Sequence, residues 1–110
     1  MAKKVFVLGF LLFLTLATCS GSPGQRAYLD SGCPRCHGTD RSGSATGPSL
    51  KDLKYTWTKG DLVRFLKGPA EFTASDPRLR ALSERYGTKM PAFAMDEETR
   101  KALAEYLLKE

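Results

Sequence analysis

Cysteines at positions 33 and 36 and a histidine at 37, in the run Cys33-Pro34-Arg35-Cys36-His37, gather most of the reactive side chains of a 110-residue chain that holds only 3 Cys and 1 His. Residues at i and i+3 fall on one face of a helical turn, so the two thiols share a side. Thiols so disposed can each add to one of the two vinyl groups of a haem, and the next residue then lies beneath the iron. The spacing matches c-type haem attachment, with His37 as the proximal nitrogen ligand. Two other chemistries use such a pair. A redox disulfide usually comes with a strand-rich, thioredoxin-like surround. A zinc site built on Cys33, Cys36 and His37 needs a fourth ligand, and the only other cysteine, Cys19, follows an N-terminal apolar run. Three cysteines cannot all pair with one another, and a single His excludes poly-histidine metal centres.

The elements that position this turn should be helices. After Gly24 the chain has no Ile and a single Val, Val63, while Ala, Leu, Glu, Lys and Arg dominate; strands draw on β-branched and aromatic residues, so the expected fold is all-α. A first helix is expected over about residues 25–31, presenting Tyr28 and Leu29 and ending at Gly32. Thr58 caps a second, with Asp61 three residues on and Leu62, Val63, Phe65 and Leu66 as its apolar stripe, and Gly68-Pro69 stops it. Asp76 followed by Pro77 opens a third, with Leu79, Leu82 and Tyr86 at helical spacing and Gly87 at its end. Asp96 opens the last, with Glu97 and Glu98 at the positive end of the dipole and Leu103, Tyr106 and Leu107 on the buried face. Gly38 to Trp57, rich in Gly, Pro, Ser and Thr, reads as an ordered but irregular loop.

Size and composition set a further requirement. Of the 42% apolar residues, 13 fall in positions 1–18, which leaves the remainder only about a third apolar. A soluble piece of roughly 90 residues with so few large hydrophobes sits where domains need a disulfide, a metal or a cofactor as a staple. Lys3 and Lys4 followed by the apolar run Val5 to Ala17 have signal-peptide architecture, too short for a comfortable membrane span. Leu16-Ala17-Thr18-Cys19 resembles the bacterial lipoprotein signal, with Thr18 standing where Gly, Ala or Ser is usual; Cys19 is the candidate lipidated residue, with ordinary cleavage nearby or an uncleaved anchor as alternatives. All three place the domain outside the cytoplasm. The expected organisation is a signal peptide over 1–18, a flexible tether over 19–24 (Ser20 to Gly24 being small and polar) and one folded domain over 25–110.

With the haem motif near the N-terminus, Gly47-Pro48-Ser49-Leu50 shortly after it, Met90-Pro91-Ala92-Phe93 further on and a terminal helix bearing Tyr106, the chain resembles a small class I cytochrome c over nearly all of residues 24–110. Helical-bundle cytochromes of the other common class carry the motif near the C-terminus. The resemblance implies about four short helices wrapped around one covalently bound haem c. It implies that the Pro48 carbonyl accepts the Nδ1 hydrogen of His37, which would fix the tautomer and raise the basicity of the ring; Gly47-Pro48 is equally a turn. It makes Met90 the distal iron ligand, since a residue before proline is extended and suits a loop, with Met95 as competitor. Tyr55 and Trp57 stand where related cytochromes often place donors to a haem propionate, although aromatics near a helix start commonly serve packing. Tyr28 or Leu29 against Leu103, Tyr106 and Leu107 resembles the family's crossing of first and last helices, and Phe65, Phe72, Leu82 and Phe93 are read as pocket or core.

His and Met in both axial positions leave no open coordination site, and this pair raises the potential. The expected function is a one-electron carrier, not an enzyme, shuttling between membrane-associated redox proteins through a small transient contact at the haem edge. The alternative is a cytochrome c subunit of a larger oxidoreductase complex; a ligand sensor or peroxidase-like enzyme would need an open iron. Without the leader, 15 Lys plus Arg face 12 Asp plus Glu. Lys51, Lys54, Lys59, Lys67 and Lys89 are scattered cations that either steer an acidic partner or are simply solvated. No basic stripe for nucleic acid and no small-molecule substrate is expected.

Overall fold

Four helices begin where a short polar side chain takes up an orphan backbone N–H, as capping chemistry requires. In the computed structural model, which describes residues 21–109, Ser22 Oγ accepts from Gln25 N at 3.2 Å, Thr58 Oγ1 from Asp61 N at 3.2 Å, Asp76 Oδ1 from Arg78 N at 2.9 Å and Asp96 Oδ1 from Thr99 N at 2.7 Å. The helices are α1 (Pro23–Asp30), α2 (Pro34–His37), α3 (Lys59–Lys67), α4 (Pro69–Ser75), α5 (Pro77–Tyr86) and α6 (Glu97–Leu108), with a 3-10 turn at Leu53–Tyr55. The described part is all-α; an isolated bridge between Ser44 and Gly47 is its nearest approach to a strand. Among the described residues six α-helical segments stand where about four were expected. The two extra ones, α2 and α4, both start on a proline, whose fixed φ and missing N–H suit the first helical position. Pro69 thus ends α3 and opens α4 at once. The first helix begins at Pro23 rather than Gln25, because Ser22 caps it.

α1 crosses α6, α3 packs against another part of α6, and α4 and α5 follow from α3 in a chain of neighbouring contacts. The crossing is close. A Cβ on Gly24 would stand 2.1 Å from the carbonyl oxygen of Ala102 and 2.5 Å from Tyr106 Cβ, so only a residue without one lets the two backbones approach this far. Tyr28 and Leu103 are fully buried there, beside Ala27, Ala104 and Leu107, with Leu62 and Leu66 joining from α3. Tyr28 and Tyr106 stack at a tilt, ring centres 5.7 Å apart. Of the two residues expected against the last helix, Tyr28 or Leu29, it is Tyr28 that makes the contact, and Leu29 is 46% exposed. Trp57, Phe65 and Phe72 form a second, aromatic cluster with ring centres 5.2 to 6.0 Å apart.

Among the described residues no helix is long and apolar enough to cross a membrane. The expected signal segment and Cys19 lie outside the described residues.

Candidate haem site

Cys33 is the residue before α2 and His37 is its last, so one short helix sets both thiols and the imidazole. A cavity of about 540 Å³, within the usual range of small-molecule and cofactor sites, opens against this turn. Cys33, Cys36 and His37 line one part of it, and Leu62, Phe65 and Leu66 of α3 with Leu79 and Leu82 of α5 supply apolar walls. Both thiols are free, and burial pushes that of Cys33 up. His37 is 8% exposed, with Nδ1 2.8 Å from the Pro48 carbonyl oxygen. An N–H at Nδ1 donates to that carbonyl, which leaves Nε2 as the nitrogen for a metal. No group of three or more His, Cys, Asp or Glu able to hold a metal ion occurs among the described residues.

The loop after α2 is folded back on the Cys33–His37 turn by hydrogen bonds. Gly43 N–H donates to the His37 carbonyl at 2.7 Å, and Ser44 Oγ to that of Cys36 at 2.7 Å. Gly47 passes so close that a Cβ would lie 2.6 Å from the Cys36 carbonyl oxygen, and Gly43, at φ +88°, would strike Ser49 N at 2.6 Å. These two contacts bring Pro48 to His37. The Tyr28 hydroxyl donates to the Gly38 carbonyl at the start of the same loop, and burial pushes it up to about 12.

Met90 is half-buried, packs against the core and lines the cavity that holds the Cys33–His37 turn. Met95 lines a separate shallow cleft beside α1, with Pro23, Ala27 and Phe93. Its carbonyl accepts from Arg100 Nη2 at 3.0 Å, while Arg100 Nη1 reaches Glu97 Oε2 at 3.1 Å. The buried Arg100 therefore pins the end of the loop carrying Met90. Trp57 lines the cavity, under the Arg78 guanidinium at 5.4 Å from its ring centre. Tyr55 does not line it: it is 75% exposed, with Lys54 over its ring. Of the expected steering cations, Lys89 lies on the cavity wall and Lys59 is paired with Glu105.

The family model for cytochrome c matches residues 22–109, the described domain almost entire. The chain belongs to the cytochrome c family. No curated protein and no solved structure matches it. A cytochrome c of this class binds haem c, covalently attached and with its iron, and carries electrons. The residues of this cytochrome c fit such a group: two thiols and an imidazole share one turn, a thioether lines the same cavity, and the walls between them are apolar. Two contributors were not legible beforehand. Arg100 and Arg41, both buried, act through carbonyls distant in sequence or hidden in a loop, and nothing local in the sequence announces such partners.

Proposed function

We propose that this cytochrome c is a one-electron carrier with His/Met-ligated iron, in which Cys33 and Cys36 hold the haem by thioethers, His37 is the proximal ligand and Met90 the distal one. The reading is carried by one juxtaposition: His37, its Nδ1 held by Pro48, and Met90 line a single cavity while Met95 lines another. Iron with both axial positions filled gains and loses an electron without binding oxygen or peroxide. The chain's own part is to keep that site constant in shape. Pro48 fixes the imidazole tautomer and raises its basicity, Arg100 anchors the loop of Met90 from its far end, and the apolar side chains of α3 and α5 exclude water. Trp57 is retained as a propionate donor or a packing residue of the wall. Tyr55, outside the cavity, suits the surface through which a redox protein docks, together with Lys89.

In this reading the domain is exported and tethered to a membrane through lipidated Cys19, and its donor and acceptor are redox proteins met transiently. The test is spectroscopic. Purified holo-protein should give a thioether-haem spectrum in denaturing pyridine, and Met90→Ala, but not Met95→Ala, should lose the absorption band of methionine bound to ferric iron. Loss in Met95→Ala alone, or ready carbon monoxide binding by the reduced native protein, refutes the ligand assignment.

A further inference from the structure

Arg41 stands out in the loop between the haem-binding turn and Pro48. Its φ is +65°, the left-handed region that costs an L side chain energy and that glycine would enter freely. It is nonetheless an arginine, 8% exposed. A strained backbone and a buried cation persist only where the surroundings hold them, and here they do so from two sides.

On the side-chain side, the guanidinium lies 4.8 Å from the centre of the Tyr106 ring, and Nη1 donates to the carbonyls of Tyr106 at 3.2 Å and Lys109 at 2.9 Å. These are C-terminal carbonyls of α6, the negative end of its dipole, where a cation is favoured. On the backbone side, the Arg41 carbonyl accepts from Leu50 N at 2.8 Å and from Ser49 Oγ at 3.3 Å. Those two residues directly follow Pro48, whose carbonyl faces His37 Nδ1. A continuous set of contacts thus runs from the end of α6 through Arg41 to the acceptor that orients the imidazole.

We infer that Arg41 is a positioning residue for His37: by locking the Pro48–Leu50 segment to the C-terminus of α6 it holds the Pro48 carbonyl at the ring, and so sets the basicity of the proximal ligand. A plain C-cap would need the guanidinium alone. The positive φ belongs first to a local turn, in which Arg41 N–H donates to the Gly38 carbonyl at 3.2 Å, but that turn and a C-cap together leave the contacts of the Arg41 carbonyl with Ser49 and Leu50 to the second task. The inference rests on His37 being the iron ligand.

The experiment uses the reduced holo-protein and three readouts: thermal stability, proton exchange at His37 Nδ1 and the Leu50 amide by NMR, and reduction potential. Arg41→Gly suits the positive φ and removes only the side chain. Exchange of both protons should quicken about tenfold, the protection one net hydrogen bond supplies. The potential is read in Ser49→Ala, which keeps both the contact with α6 and the Arg41 charge: exchange should quicken there by less, and the potential should rise, because a less basic imidazole stabilises ferric iron less. Should Arg41→Gly lower stability while the His37 proton keeps its wild-type exchange, Arg41 is a helix cap and the inference fails. Should that variant not mature, an unchanged Nδ1 exchange in Ser49→Ala overturns it alone and a quickened one supports it. A wild-type His37 whose ring signals carry no shift from ligation would overturn the ligand assignment itself, a failure visible before any variant is made.

Discussion

Adding one methyl group at Gly24 tests the crossing of α1 and α6 directly. The Cβ of Gly24→Ala would lie 2.1 Å from the Ala102 carbonyl oxygen and 2.5 Å from Tyr106 Cβ, whereas non-bonded atoms prefer about 3.5 Å. The helices must therefore part by roughly 1 Å or more, and the nearer atom is backbone, which cannot rotate aside. Overpacking of this kind costs about 1–3 kcal/mol, and alanine's helix propensity offsets at most about 1 kcal/mol in a helix interior and less in the first turn. A net loss of about 2 kcal/mol corresponds to a Tm lower by about 8–16 °C for a domain of this size. Gly60 supplies the control. It is likewise the second residue of its helix, α3, and a Cβ there meets nothing within 4 Å, so Gly60→Ala should stabilise by up to about 1 kcal/mol. Thermal unfolding of the two holo-variants by circular dichroism reads both signs. If Gly24→Ala melts at or above the wild-type temperature while Gly60→Ala behaves as expected, the close-approach argument is wrong.

Two further outcomes concern pH. Burial raises the Tyr28 hydroxyl from 10.0 to about 12; the neutral form is favoured in the folded state, so its contribution is complete below pH 10 and is lost as pH rises towards 12. Tyr28→Phe should accordingly flatten the alkaline limb of the stability profile while lowering stability at neutral pH, where the hydrogen bond to Gly38 is lost; an unchanged alkaline limb in pH-dependent unfolding would contradict this. The Thr99 side chain and backbone N–H hold the Asp96 carboxyl below its ordinary value, so that contribution is present above the unfolded pKa and disappears as pH falls through the folded one. Asp96→Asn should keep the cap and lose the acid dependence, whereas Asp96→Ala should lose both, as followed by helix content between about pH 5 and pH 2.

What could be read in advance was what is written locally. Thr58, Asp76 and Asp96 each cap a helix through an N–H two or three residues away, so three helix starts were open to inspection. The turn bearing Cys33, Cys36 and His37 is local too. Ser22 does not stand out locally, because the small polar run around it has tether composition and the same side chain that suits a linker also caps. Locally Pro69 reads only as a stop, because its role as a start depends on Phe72 and its neighbours in α4 finding a surface, which α3 and α5 provide. Position in space, rather than chemistry, separated Met90 from Met95 and Trp57 from Tyr55: each pair is similar in type, and the fold turns one member to the cavity and the other away. Gly24 and Arg41 lie at the far limit, since their partners are on α6 and no pattern within a window of residues encodes them.

The contact of Gly24 with Ala102 joins residues near opposite ends of the domain, which gives it a kinetic meaning as well as a packing one. Closing a loop of roughly 80 residues costs about 4 kcal/mol of chain entropy, and the chain must meet that before Tyr28 or Leu103 gains any burial. With His37 and Met90 bound to one iron, as proposed, the span between them no longer has to be closed by diffusion, and only about 25 residues of free chain remain in the circuit. The closure term then falls by about 1 kcal/mol. The terminal clasp should thus close roughly fivefold more readily in the mature protein than in the chain without haem, with loop closure as the step that tells the two apart.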